Sequence, residues 1–131
     1  MSLIAAILVL AQAGHPVTAG SAWENQSGSV LHIDEVRENG HFHGRYVNNA
    51  EGYPCSGVEY RVVGDVFDPL IQFSVVWRSE EETCHSVTGW TGQIEGGRLV
   101  TEWRLVRWRD GTVSDFTGES VFERRADGHA E

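Results

Sequence analysis

The chain reads as an all-β protein, an eight-stranded antiparallel up-and-down β-barrel. Three features predict this. From Ser21 onward, apolar and polar residues alternate with period two. Turn residues interrupt the alternation at the roughly 8–12-residue spacing of short-stranded β proteins. No helical pattern of apolar residues intervenes. Eight such strands in meander order close into a barrel, which leaves no exposed edge and encloses space for one small ligand.

The strands follow from the text of the chain. Trp23, Asn25 and Ser27 alternate with Glu24 and Gln26, and Ser29, Leu31 and Ile33 alternate with Val30, His32 and Asp34. Glu38-Asn39-Gly40 forms a hairpin turn, because Asn-Gly tolerates positive φ. In the next strand, His41 to Asn48, Phe42, Gly44 and Tyr46 share a face. Asn49 to Glu59 is rich in Gly, Pro and polar residues and reads as a loop. Tyr60 to Phe67 and Leu70 to Arg78 are strands joined at Asp68-Pro69, and Ser79 to Cys84 is an acidic loop. Ser86 to Ile94 closes at Glu95-Gly96-Gly97, Arg98 to Trp108 closes at Asp110-Gly111, and Val113 to Arg124 is the last strand.

The chain has 131 residues, 40% of them apolar, with a formal net charge of −9. That size supports one domain with its own core. An acidic chain without a basic run lacks the electrostatic footprint of a nucleic-acid binder and is repelled by anionic lipid surfaces, so neither nucleic acid nor membrane is expected as a partner. The apolar run Leu3 to Leu10, followed by Ala11-Gln12-Ala13, resembles a secretory signal with its cleavage site, although no Lys or Arg precedes it. We expect a signal peptide or N-terminal extension over 1–19, the barrel over 20–125 and a flexible tail over 126–131, in a secreted or periplasmic protein. Cys55 and Cys84 are the only cysteines. In an exported chain an even pair points to one disulfide, and in a cytosolic chain to two free thiols.

Alternation also sorts the inward face. It carries Trp23, Asn25, Ser29, Tyr46 and Asn48, then Phe73, Val75 and Trp77, then Ser86, Thr88 and Trp90. Trp103, Leu105, Ser120 and Phe122 complete it. A plain apolar core would not place so many hydroxyls and amides inward, since buried polar groups cost free energy unless hydrogen-bonded. An apolar box with a few convergent polar groups is what a small-molecule site requires. The same groups could instead bond one another or buried water.

WENQSGS (23–29), GRYVN (44–48), FSVVWRSEEETCHSVTGWTGQI (73–94) and TEWRLV (101–106) resemble the avidin/streptavidin family of biotin-binding proteins, over about residues 21 to 123. Streptavidin is itself a standard eight-stranded barrel, so the resemblance and the fold are not independent readings. The resemblance implies non-covalent, high-affinity binding of biotin as ligand, with no cofactor, metal or catalysis. It places Asn25, Ser29 and Tyr46 as donors to the ureido oxygen and Asn48 as acceptor of one ureido N–H. Thr88 faces the ring sulfur. Ser86, with Asn49 and Ala50, lies near the valerate carboxylate, and Trp77, Trp90, Trp103 and Leu105 form the walls. A Cys55–Cys84 disulfide, and the lack of Trp between Asp110 and Gly118, resemble the dimeric, rhizavidin-like branch and imply a homodimer or a multiple of it. One position departs from the family. Ser120 stands where many members carry an Asp or Asn that accepts the second ureido N–H, which implies weaker binding by about one to two decades. Glu119 is expected to face outward.

Other chemistry finds less support. Cys84 and His85 would point to opposite faces of a strand, so a thiol–imidazole pair lacks its partner. His32, His41 and His43 lie on paired strands, but nothing completes a tetrahedral metal set. No carboxylate pair has acid–base spacing, and no Gly-rich phosphate loop precedes a helix. The remaining alternative is an interaction module of the same fold whose site takes a peptide or another small ligand and binds biotin weakly.

Overall fold

The structure, a computed structural model, describes residues 14–78 and 84–126. Eight strands follow the chain: β1 (Ala22–Glu24), β2 (Val30–Val36), β3 (His41–Val47), β4 (Glu59–Phe67), β5 (Leu70–Trp77), β6 (Ser86–Glu95), β7 (Arg98–Arg109) and β8 (Thr112–Arg124). Each pairs antiparallel with the next, and β8 returns to β1 to close the barrel. The predicted fold class is the one adopted. Residues 1–13 of the expected N-terminal segment, 79–83 of the acidic loop and 127–131 of the tail lie outside the described residues.

Strands β3 to β8 fall within a residue or two of the expected segments. The first strand does not. The period-two pattern extends through Ser27, but β1 stops at Glu24. The cause is Asn25, whose Oδ1 accepts from the backbone N–H of Ser27 at 2.9 Å and of Ser29 at 3.0 Å. Such side-chain bonding replaces a strand ladder with a turn, and Gly28 completes it at φ 84°. Within β2 the register shifts between Ile33 and Glu35, so Asp34 is the extra residue of a bulge. Its carboxylate receives Arg45 from β3 at 3.1 Å.

Inward residues fill one end of the barrel with apolar side chains. Trp23, Leu31, Ile33, Phe42, Val62, Phe73, Leu99 and Phe122 are buried there. Gly64 on β4 has an inward position and no side chain because the space is taken. A Cβ there would stand 2.6 Å from both the Phe42 ring and the Phe73 Cβ. Val17 is fully buried in the same core, so the packed unit begins before residue 20, the boundary expected from the sequence. Arg124 fixes this leading segment, donating to the Pro16 carbonyl and to Thr18 Oγ1, each at 3.3 Å.

The other end is open and is crossed by a disulfide. Cys55, in the loop after β3, bonds Cys84, just before β6, across 29 residues. Cys55 holds φ 63°, so the bridge fixes a tight turn as well as two loops. Both cysteines are buried and neither carries a thiol, so the Cys84-His85 pair has no nucleophile to offer. Replacing both, as Cys55→Ala with Cys84→Ala, is expected to lower the unfolding free energy by about 3–4 kcal/mol, the loop-closure value for that separation. Denaturant unfolding of the oxidised protein against the double variant measures it.

Candidate functional site

Ladder register sets which side chains meet at the open end. Trp77 lies opposite Ser86, Val75 opposite Thr88 and Phe73 opposite Trp90. On the next seam Trp90 faces Trp103, Thr88 faces Leu105 and Ser86 faces Arg107. These inward positions form a row that runs from the apolar core to the mouth. A pocket opens along it, lined by Trp77, Trp90, Trp103 and Leu105 together with Asn25, Tyr46, Asn48 and Ser120. Gly118 makes room for one wall, since a Cβ there would stand 2.7 Å from Cε2 of Trp103.

The polar groups are held by one another. Asn25 Nδ2 donates to Ser120 Oγ at 3.2 Å, while its Oδ1 is fixed by the turn. Ser29 Oγ donates to Asn48 Oδ1 at 3.1 Å and accepts from the Asn49 N–H at 2.9 Å. Asn48 Oδ1 also accepts from the Ala50 N–H at 3.2 Å. Trp77 Nε1 donates to Thr88 Oγ1 at 2.8 Å, which leaves the Thr88 proton free to turn inward. Thr101 Oγ1 donates to the Ser120 carbonyl at 2.7 Å and fixes β8 beneath the site. Trp90 Nε1 is buried and has no partner among the described residues. Tyr46 packs its ring 4.7 Å from Trp90 and edge-on to Trp77. Burial pushes its phenol well above the ordinary tyrosine range, an effect the adjacent Ser29 hydroxyl partly offsets.

Of the residues singled out from the sequence, Asn25, Tyr46, Asn48, Ala50, Trp77, Ser86, Thr88, Trp90, Trp103, Leu105 and Ser120 line this one pocket. Ser29 is buried just behind the wall. Asn49 turns away, its Nδ2 donating to the Gly28 carbonyl at 2.9 Å. Ser86 donates to the Cys84 carbonyl at 2.7 Å. The pocket also takes in Gln26, Tyr53, Pro54, Arg107, Phe116 and Glu119. Arg107 and Phe116 share inward parity with Leu105 and Ser120, so alternation carried to the strand ends would have found them. Gln26, Tyr53 and Pro54 sit in turns and loops, where parity gives no signal. Glu119, expected outward, is exposed and also borders the rim.

The histidines do not converge. His41 Nδ1 meets Asp65 at 3.0 Å and His43 Nε2 meets Glu35 at 2.8 Å, as separate surface pairs. Burial first, then the Arg45 charge, holds the His32 imidazole below its usual range. Among the described residues no group of three or more His, Cys, Asp or Glu is placed to hold a metal ion.

A closed antiparallel barrel whose mouth combines tryptophan walls with an interlocked set of amides and hydroxyls is a small-molecule-binding barrel. The family model for "Avidin family" matches residues 13–125. This chain belongs to the avidin family. It is 39% identical to afifavidin of Afifella pfennigii over 89 residues, 65% of this chain and 55% of that protein, so it spans about half of afifavidin's length. It is 33% identical to hoefavidin of Hoeflea phototrophica over 117 residues, 81% of this chain and 71% of that protein. Among solved structures it is similar to the rhizavidin–biotin complex, with a TM-score of 0.75 at 36% identity over 86% of this chain and 98% of that one. A shwanavidin variant in complex with biotin gives 0.74 at 35% identity, over 86% and 100%.

The raised phenol of Tyr46 makes stability fall at alkaline pH. Below about pH 10 both folded and unfolded phenols are protonated, and the contribution is fully present. Above it the unfolded phenol ionises while the buried one does not, so the folded state binds more protons and loses stability as pH rises. Thermal unfolding between pH 9 and about 11 is expected to show this decline, and Tyr46→Phe to make it shallower.

Proposed function

We propose that this protein captures biotin at the open end of its barrel, tightly and without chemical change. One observation carries the reading. In a chain of the avidin family, a crescent of Asn25, Tyr46, Asn48 and Ser120 shares a single pocket with three tryptophan walls. The rhizavidin and shwanavidin-variant structures that contain biotin support the same ligand.

Biotin is a fused ureido and thiophane ring system with a valerate tail. The ureido oxygen gathers partial negative charge and needs donors, which Asn25 and Tyr46 supply from the crescent, with Ser29 behind them. Asn48 and Ser120 accept the ureido N–H groups. Thr88 turns its free proton to the ring sulfur. Trp77, Trp90, Trp103 and Leu105 exclude water, and in that dry site each enclosed hydrogen bond is stronger than it would be in water. The tail then points to the mouth, past Ala50 and Ser86. No step in this binding makes or breaks a covalent bond.

The disulfide supports an oxidising compartment, and with the leading apolar run it supports export to the periplasm or beyond. Val76, Val87, Trp108 and Val113 are exposed on the outer faces of β5 to β8. An apolar outer patch of that kind supports self-association into a dimer.

Two measurements test the reading. Calorimetric titration of the oxidised protein with biotin is expected to give sub-micromolar binding at one site per chain, and no binding would reject it. Ser120 contributes a neutral acceptor. Bonds to charged groups contribute about 1.5–3 kcal/mol against about 1 kcal/mol for neutral ones. Ser120→Asp is therefore expected to tighten binding by about 2- to 30-fold, measured by displacement with desthiobiotin.

A further inference from the structure

The polar groups at the mouth raise a chemical question that the deep pocket does not. A free acid bound tail-outward brings a carboxylate to this rim, and a carboxylate needs donors. The groups expected to supply them are already engaged. Ser86 Oγ donates to the Cys84 carbonyl at 2.7 Å, and Asn49 Nδ2 to the Gly28 carbonyl at 2.9 Å. The Asn49 and Ala50 N–H groups are directed to Ser29 Oγ and Asn48 Oδ1.

Arg107 is different. It lies on β7 two positions beyond Leu105, opposite Ser86, and lines the pocket. Its Cζ sits 4.9 Å from the centroid of the Phe116 ring, which Leu105 pairs with on β8. A guanidinium stacked on an aromatic ring is held flat, with its edge N–H groups directed outward from the ring. Its Nε is buried and has no hydrogen-bond partner among the described residues. Three arginines elsewhere on the barrel are paired with carboxylates: Arg45 with Asp34 and Glu59, Arg104 with Asp115 at 3.0 Å, and Arg125 with Glu24. Arg107 meets no carboxylate among the described residues. Glu119 borders the same rim, but its ladder partner Glu102 is five residues from Arg107, roughly 16 Å along the strand. The guanidinium is thus oriented, partly desolvated and without a carboxylate partner among the described residues, in a chain of net charge −9.

We propose that Arg107 is the receptor for the ligand's free carboxylate, and that it makes this pocket selective for the free acid over amide-linked conjugates. This inference rests on the biotin reading above. Planar N–H groups match a carboxylate and form charge-assisted hydrogen bonds. An amide in the same place offers no negative charge, and its N–H donor faces a cation that can only donate. The selectivity is a difference of affinities set by one side chain. A pocket built this way captures free biotin in preference to biotin already joined to a lysine.

The test titrates the oxidised full-length chain with biotin and with biotin primary amide, which has the same shape and no charge. The unsubstituted protein is expected to prefer the acid by about 10- to 100-fold, and the preference to shrink as salt rises. Arg107→Gln is expected to bring the acid-to-amide ratio close to one, and Arg107→Lys to retain part of it. Because the ratio is taken within each variant, a general loss of affinity does not alter it. Equal binding of acid and amide by the unsubstituted protein would overturn the inference while leaving biotin binding intact. A preference that survives Arg107→Gln would also overturn it. If neither compound binds, the biotin reading itself fails and the inference falls with it.

Discussion

The seam between β8 and β1 decides whether this chain is a barrel with an interior or an open sheet without one. It is a short seam. Only Trp23 with Arg124 and Glu24 with Glu123 stand in register, extended by the bond from the Arg125 N–H to the Ala22 carbonyl at 2.8 Å. Beyond Glu24 the edge of β8 would present unpaired backbone groups, which a barrel exists to avoid. The side chain of Gln26 takes over. Its Nε2 donates to the Glu119 carbonyl at 2.7 Å, and its Oε1 accepts from the Val121 N–H at 3.0 Å. One amide side chain thus continues the ladder after the strand has ended. The same turn brings Asn25 against Ser120, so closing the barrel and completing the polar crescent are one event.

Closure in turn creates the problem that the crescent solves. Hydroxyls and amides enclosed with tryptophans are costly unless each is bonded, and a half-satisfied network is worse than an apolar one. Here Asn25 binds Ser120, Ser29 binds Asn48, and Trp77 binds Thr88. Each bond fixes a rotamer before any ligand arrives, which lowers the ordering cost of binding. The buried N–H of Trp90 is the exception within this set. The apolar end of the barrel gives these residues a rigid base, through Phe73 stacked 5.0 Å from Trp90 and Phe122 set edge-on to Tyr46.

Much of this is legible in the sequence, because period-two alternation is a strong signal where one face is buried. It places Phe73, Val75 and Trp77 inward together, and Ser86, Thr88 and Trp90 across from them. It fails where the backbone leaves the strand. Asn25 and Ser27 continue the pattern while standing in a turn held by the Asn25 side chain, and the bulge at Asp34 cannot be seen in a pattern that its neighbours keep. Partners are also beyond the reach of parity. Ser29 has the right parity but spends its hydroxyl on Asn48 and the Asn49 backbone, so it supports the site from behind. Gln26 looks like a solvent-facing strand residue and instead acts as a piece of backbone. The Cys55–Cys84 pairing rests on resemblance in the sequence and becomes geometry only once β3 and β6 present their loops to the same end.

The central claim is that the pocket is formed before the ligand enters and that its polar side receives the ureido group. A crystal structure of the biotin complex beside that of the unliganded protein tests it most directly. The ureido group should meet Asn25, Tyr46, Asn48 and Ser120, with the backbone carrying them displaced by less than about 1 Å. Biotin seated elsewhere on the barrel, or a crescent that forms only after that backbone rearranges, would contradict it.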